Sequence, residues 1–225
     1  MIPIFLGYDQ REAIAYHVCT NSIIRHSSKP VSFNPLSLGL LNGYEETHTD
    51  GSNHFIYSRF LVPHLMEYKG WAIFIDGDML LRDDIAELWK YRDDSKAVMV
   101  VHHNYKTKMS EKYLGAKNED YPRKNWSSVI LWNCGHPANK RVTPEFVQQS
   151  TGAQLHRFTW LHDTQVGELP IEWNWLPDEL GPNDDAKLLH YTLGSPCFHD
   201  FADTPMAAEW HRERIYAEYC SQHGL

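Results

Sequence analysis

The apolar run Trp71–Ile75 ends in Asp76-Gly77-Asp78, two carboxylates one residue apart with a glycine between them. Carboxylate oxygens are hard donors. A pair of them joined by a histidine suits Mn²⁺ or Mg²⁺ holding a diphosphate. Candidate histidines end two other apolar runs: His102 and His103 after Val98–Val101, and His190 after Leu188 and Leu189. Neighbouring residues of a strand face opposite ways, so at most one of His102 and His103 joins the aspartates. Tyr8 and Asp9 follow the first apolar run. Taken alone, Asp-x-Asp is also the spelling of a turn or a helix cap, and a histidine on an apolar strand is often a hydrogen-bonded core residue.

The elements that must position these residues alternate between strands and helices. Ile2–Gly7 is a short apolar run closed by glycine, as a buried strand is. Ala15, Val18, Cys19, Ser22 and Ile23 then recur at spacings of three and four, which marks one helical face. KPVSFNPL reads as a second strand between prolines, and strand, helix, strand at this spacing predicts a parallel crossover. HFIYSRFLVPHLM predicts a helix broken or kinked at Pro63. GWAIFID is the plainest buried strand, followed by a helix that Asp residues open in DDIAELW. KAVMVVHH and Ser127–Asn133 predict further strands. Between them, Asn104 to Asn125 is polar, Lys-rich and without period, which reads as a long loop of the kind that forms lids. TPEFVQQS carries a Thr cap and a Pro in the first helical turn. KLLHYTLGSP reads as a strand running into a glycine turn, and TPMAAEWHRERIYAEYC as a closing amphipathic helix. No repeat, low-complexity tract or linker divides the chain. The expectation is one α/β domain over residues 1–225, a mostly parallel sheet flanked by helices. Such sheets bind ligands at the carboxyl ends of their strands, where Asp9, Asp76, Asp78 and His190 fall.

Composition narrows the partners. The 225 residues carry a formal charge of -8 and no block of five or six like charges. A nucleic-acid polymer needs a basic stripe and is excluded as a partner, whereas a small phosphate ligand held through a cation is not. No apolar stretch approaches the roughly 20 residues of a membrane span, and the N-terminus lacks a signal-peptide pattern. Cys19, Cys134, Cys197 and Cys220 are scattered, which reads as reduced thiols in a cytoplasmic protein. Aromatic residues make up 13% of the chain, eight of them Trp. Trp126, Trp173 and Trp175 read as core or wall packing rather than a sugar platform.

In order and spacing, SRFLVP, GWAIFIDGDMLLRDDIAELW, SSVILWN, DTQVGELPIEWNWLP and LLHYTLGSP resemble the GT-A glycosyltransferases of the family-8 type, the relatives of glycogenin and of bacterial galactosyltransferases. The resemblance runs from about Ile2 to Pro196. It implies a GT-A fold and transfer of a sugar from a nucleoside-diphosphate sugar, UDP by family habit, with retention of anomeric configuration. It implies Asp76, Asp78 and His190 as ligands to Mn²⁺ or Mg²⁺, and Arg59 near the diphosphate. Tyr8 and Asp9 then match the nucleobase and ribose end, with Gly77 and Gly194 shaping the donor site. Asp163 matches an aspartate bordering sugar and acceptor. The acceptor is a saccharide, a lipid-linked sugar or a protein.

Two departures stand out. The family's late turn carries a lysine on the diphosphate, and HYTLGSPCF has none, which leaves the metal, Arg59, or a loop lysine such as Lys106 or Lys108. The family's Asn-Ser-Gly reads Trp126-Ser127-Ser128, so its asparagine is absent unless Asn125 takes the place. Two other functions compete. A phosphohydrolase of the Asp-x-Asp type needs its pair after the first strand with a Thr following, and neither holds. A nucleotide-sugar-binding protein without turnover would have little reason to keep a whole metal set.

Overall fold

The computed structural model describes residues 1–51 and 53–218. Eight strands are formed: β1 (Ile2–Gly7), β2 (Val31–Leu36), β3 (Trp71–Ile75), β4 (Met79–Leu81), β5 (Val98–Val101), β6 (Val129–Asn133), β7 (Val166–Leu169) and β8 (Leu188–His190). The helices among the described residues are α1 (Ala13–His26), α2 (Val62–Leu65), α3 (Ile85–Leu88), α4 (Pro144–Gln149), α5 (Gly152–His156), α6 (Pro177–Leu180) and α7 (Ala207–Glu218), joined by several single turns of 3₁₀ helix.

Six strands make one sheet in the order β2-β1-β3-β6-β5-β7, and β4 pairs with β8 in a second, two-stranded sheet. In the large sheet only β6 runs against the others, antiparallel to both β3 and β5. The sheet is therefore mixed and mostly parallel, flanked by helices. β2 lies at an edge, where the missing N–H of Pro35 costs no ladder bond.

Period-two alternation divides the apolar side chains between the faces. Phe5, Phe74, Val98, Val100, Ile130 and Trp132 pack on one side; Ile4, Leu6, Ile73, Ile75, Met99, Val129 and Leu131 pack on the other. The central strands are buried on both faces, which explains their nearly unbroken apolar spelling. α1 buries Ala15, Val18, Cys19, Ser22 and Ile23, the face its spacing predicts. Its Ser22 hydroxyl accepts a hydrogen bond from the Leu81 backbone N–H of β4 at 3.0 Å, and its Asn21 and Arg25 bind Glu213 of α7. Trp173 is fully buried, and Trp126 and Trp175 pack partly buried against the cores.

Two segments differ from expectation. Pro63 does not break a long helix: it lies in the first turn of the four-residue α2, and turns and a 3₁₀ segment (Ser58–Leu61) precede it. Proline is well suited to that position because its missing N–H would have no helical acceptor. α2 then stops at once, with Glu67 and Tyr68 at positive φ. The closing helix begins at Ala207, after turns that start near Thr204. Cys220 lies outside the described residues; Cys19, Cys134 and Cys197 are free thiols.

Candidate active site

The Asp-Gly-Asp stretch is where the chain leaves one sheet for the other. β3 ends at Ile75, opposite Val129, and the next backbone N–H, that of Asp76, donates to the Ser128 carbonyl at 3.1 Å. β4 starts directly after Asp78 and pairs with β8 so that Met79 faces His190. Two sheet registers, set by apolar residues, thus bring His190 beside the aspartates although 112 positions separate it from Asp78 in sequence. Gly77 is required at the crossing: a β-carbon there would stand 2.4 Å from the Gly7 carbonyl oxygen of β1. The close approach that the glycine permits is therefore made by the end of the first strand.

Asp76, Asp78 and His190 are all buried and present ligand atoms within 4.8 Å of one another. His190 Nε2 lies 3.4 Å from Asp78 Oδ1 and 3.7 Å from Asp76 Oδ2. The other ring nitrogen, Nδ1, donates to Asn174 Oδ1 at 2.9 Å, which leaves Nε2 as the lone pair aimed at the carboxylates. Asn174 is itself fixed, because its Nδ2 donates to the Asn125 carbonyl at 3.0 Å. Asp78 Oδ1 is buried without a hydrogen-bond partner among the described residues. Asp76 Oδ1 lies 2.8 Å from Arg59 Nη1 in an ion pair that lacks hydrogen-bond alignment. Burial pushes the Asp76 carboxyl up from 3.8; Asp78 adds to the rise, and Arg59 and His190 oppose it. Two carboxylates and an oriented imidazole, short of positive charge, fit a hard or borderline divalent cation.

Arg59 is buried by the turns before α2. Its Nη1 also donates to the Ser127 carbonyl at 2.9 Å and its Nε to the Ile56 carbonyl at 3.0 Å, so the guanidinium is braced from both sides. The cleft around the cluster is further lined by Lys112, Tyr113, Tyr121, Asn125, Ser127, Ser128, His156 and Thr192. Asn125, at φ 61°, lines the cleft. His156 has burial pushing its pKa down to about 3; its Nδ1 is 2.7 Å from Ser127 Oγ and its Nε2 is unpartnered. A neighbouring cavity of 510 Å³ shares Ile56, Lys112, Tyr121 and His156 with the cleft and adds Lys117, Lys124 and Arg157.

Other expected residues lie differently. Asp163 is not brought to the cleft: its side chain is exposed and ion-paired with Arg123 at 2.5 Å, on a 3₁₀ turn that leads into β7. Neither His102 nor His103 joins the aspartates. His102 stacks on Trp126 with ring centroids 3.9 Å apart, and burial takes His103 down to about 3. Asp9 accepts the Arg11 guanidinium at 2.5 Å and the His54 backbone N–H at 3.1 Å. Burial alone would raise its pKa; the hydrogen bonds from Arg11 and His54 bring it below 3.8. Gly194 fits under the Phe201 ring, which a β-carbon would meet at 2.5 Å. Lys106 and Lys108 are exposed and away from the cleft lining, whereas Lys112 of the same loop is part of it. Asn174, Lys112 and His156 were missed. Asn174 had a signal, since it sits within the Trp-Asn-Trp stretch of the resemblance; Lys112 and His156 had none.

Residues 8–136 match the model of glycosyl transferase family 8. Among curated proteins, the chain is 45% identical to "Protein CDI" of Arabidopsis thaliana over 219 residues, 93% of this chain and 85% of that one. Solved structures share the fold at lower identity. The galactosyltransferase LgtC, solved with donor and acceptor sugar analogues, matches with a TM-score of 0.65 at 15% identity, covering 98% of each chain. The bifunctional glycosyltransferase WbbM matches with a TM-score of 0.62 at 18% identity over 95% of this chain, which spans about half of that protein, 52%.

Proposed function

The chain belongs to glycosyl transferase family 8 and is a glycosyltransferase, and from that premise we propose that it moves a sugar from a nucleoside-diphosphate sugar, UDP-linked by the family resemblance, to a saccharide, lipid-linked or protein acceptor. In this reading Asp76, Asp78 and His190 hold Mn²⁺ or Mg²⁺. The observation that carries it is the buried three-residue cluster whose imidazole is turned toward the carboxylates by Asn174. The sugar analogues held by the galactosyltransferase neighbour support a sugar-transfer site on this fold.

Bound there, the cation supplies Lewis-acid assistance, offsetting charge on the departing nucleoside diphosphate as the glycosidic bond breaks. The chain does the rest. Arg59 orients Asp76 and opposes the rise that burial gives its carboxyl. Asn174 fixes the His190 tautomer. Asn125, Ser127 and Ser128 offer an amide and two hydroxyls to the sugar from the same wall. Tyr8 and Asp9 belong to the nucleoside end, with Asp9 held rigid by Arg11. Gly77 and Gly194 shape the walls through the contacts they permit. Asp163, exposed and paired with Arg123, borders the acceptor side in this reading. Retention, with same-face attack assisted by the leaving phosphate, asks no covalent nucleophile of the chain. The 510 Å³ cavity beside the cleft gives an acceptor room. Among the described residues no helix is long and apolar enough to cross a membrane. A cytoplasmic enzyme working as one domain completes the reading, and the free thiols of Cys19 and Cys134 are compatible with it.

A panel of UDP-, GDP-, ADP-, CMP- and TDP-sugars, each with and without Mn²⁺, tests this. Transfer or slow hydrolysis of at least one donor, dependent on the metal, is expected. Activity on simple phosphate esters with none on any donor would replace the reading by a phosphohydrolase, and donor binding without turnover by a binding protein.

A further inference from the structure

Lys112 is a cation in the cleft that the metal set does not use. It lines the same space as Asp76, Asp78 and His190, and it also lines the adjoining cavity. Among the described residues no carboxylate stands within ion-pair distance of its ammonium. Burial pulls its pKa below 10.5 while Asp78 and Asp76 pull it back up. A half-buried, unpaired ammonium is costly unless something anionic shares the site.

The charges of the cleft say what that something is. Asp76 and Asp78 bring two negative charges, Arg59 and Lys112 two positive ones, and His190 serves as a neutral ligand. Glu12, buried nearby but outside the cleft lining, is pushed up to about 8 by burial and by Asp78. With both aspartates ionised, as metal ligands are, the four side chains sum to zero. A divalent cation on the triad leaves the cleft two positive charges in excess, and a nucleoside-diphosphate sugar carries two negative charges. Lys112 supplies one of those two charges, and with it the excess equals the charge of a diphosphate.

The lysine is also held in place. Glu111 and Lys117 bridge across a tight turn, the Lys112 N–H donates to the Ala116 carbonyl at 2.7 Å, and Leu114 and Gly115 both take positive φ. The adjacent Tyr113 fastens this hairpin at three points. Its N–H donates to the Leu193 carbonyl at 2.7 Å, its hydroxyl to Glu12 Oε1 at 2.9 Å, and its ring stacks on Phe198. Those partners belong to the segments that follow β1 and β8.

We propose that Lys112 binds the diphosphate of the donor, with Tyr113 as the residue that positions it. The proposal rests on the metal-dependent donor reading above. Under it, the polar loop between β5 and β6 delivers the phosphate ligand that the late turn does not provide.

Calorimetry separates the two ideas. Mn²⁺ alone, UDP with Mn²⁺, GDP with Mn²⁺ and inorganic pyrophosphate with Mn²⁺ are titrated into wild type, Lys112→Met, Lys112→Arg, Tyr113→Phe, Lys106→Met and Lys108→Met. Lys112→Met should leave Mn²⁺ affinity within about twofold and weaken every diphosphate probe about 10- to 100-fold, the scale of one charge-assisted contact. Its diphosphate affinity should also depend less steeply on salt. Lys112→Arg should recover most of the loss, and Tyr113→Phe should lose roughly 3- to 10-fold. The Lys106 and Lys108 variants should match wild type. Wild-type affinity in Lys112→Met, or an equal loss in Lys106→Met, overturns the proposal while leaving the donor reading intact. Wild type that binds Mn²⁺ but no diphosphate probe overturns both.

Discussion

The cleft is walled by two unlike pieces of chain. On one side, Asp76, Asp78 and His190 project from the ends of β3 and β8 and from the start of β4, elements whose residues are almost wholly buried. On the other, Lys112 and Tyr113 come from a segment of more than twenty residues whose regular structure is one bridge and one turn of 3₁₀ helix. The strand-end wall is placed by register: moving β8 one residue against β4 would turn His190 away from Asp78. The loop wall is placed by individual contacts, among them the buried hydrogen bond from the Tyr113 hydroxyl to Glu12. A metal site needs fixed ligand geometry, and a substrate contact must admit and release its ligand. The two walls divide those demands between them.

The largest effect expected on either wall is at Asp78. Asp78→Ala removes one of two carboxylates from a three-residue set and should abolish measurable Mn²⁺ binding, at least 100-fold weaker by calorimetry. It should not unfold the metal-free protein, because the lost oxygen has no hydrogen bond to lose. The thermal upshift that Mn²⁺ gives wild type should vanish with it. Binding that survives in Asp78→Ala would return the Asp-Gly-Asp stretch to a structural crossing and make the strand-end wall mere scaffold.

What the sequence revealed follows the same division. Apolar runs with a carboxylate or histidine at their ends name both the strand and the place where it delivers a side chain, so Asp76, Asp78 and His190 were legible. Ile2–Gly7, α1's inward face and the Thr143 cap, whose hydroxyl accepts from the Phe146 N–H, were legible for similar local reasons. Lys112 was not, because a polar segment without period gives no direction for any of its lysines, and Lys106 and Lys108 read identically to it. Asp163 shows the opposite case. Its motif names it directly, yet only the turn before β7 and the ion pair with Arg123, forty residues away, set where its exposed side chain lies. Asn174 stands between Trp173 and Trp175 in sequence. Its role depends on the Asn125 carbonyl, forty-nine positions earlier, which no local pattern reports.

Asn174 supplies the next effect in size. Asn174→Leu keeps the branched shape but strands the ring N–H of His190 and takes from the Asn125 carbonyl the shorter of its two hydrogen bonds, leaving the Ser128 N–H at 3.4 Å. Losing the partner that orients a metal-bound histidine lowers metal affinity about 10- to 100-fold, and each stranded buried group costs about 1–3 kcal/mol. Both losses should appear, in Mn²⁺ titration and in urea unfolding of the metal-free protein. A drop in stability with unchanged Mn²⁺ affinity would mean that the register of β4 and β8 suffices to aim His190 by itself.

The smallest effect lies where the two walls meet. Glu12 follows β1 and takes the Tyr113 hydroxyl from the loop, with its second oxygen buried and unpartnered. Burial, then the charge of Asp78, pushes its pKa up from 4.5 to about 8. A carboxyl raised on folding contributes stability that is complete below 4.5 and is lost as pH rises through about 8. Metal-free wild type should therefore weaken across that window, and Asp76, also raised by burial, adds to the same trend. Glu12→Gln holds the uncharged form at every pH and still offers an oxygen to Tyr113. Its new amide N–H group has no partner, which subtracts a constant amount, so the informative quantity is the slope. The difference in melting temperature between Glu12→Gln and wild type should grow by about 3–10 °C from about pH 4.5 to about pH 8.5, equivalent to about 1–3 kcal/mol in a chain of this size. A flat difference would mean that Glu12 is charged at neutral pH. The loaded cleft would then carry one positive charge rather than two, and the match between Lys112 and a diphosphate would have to be recounted.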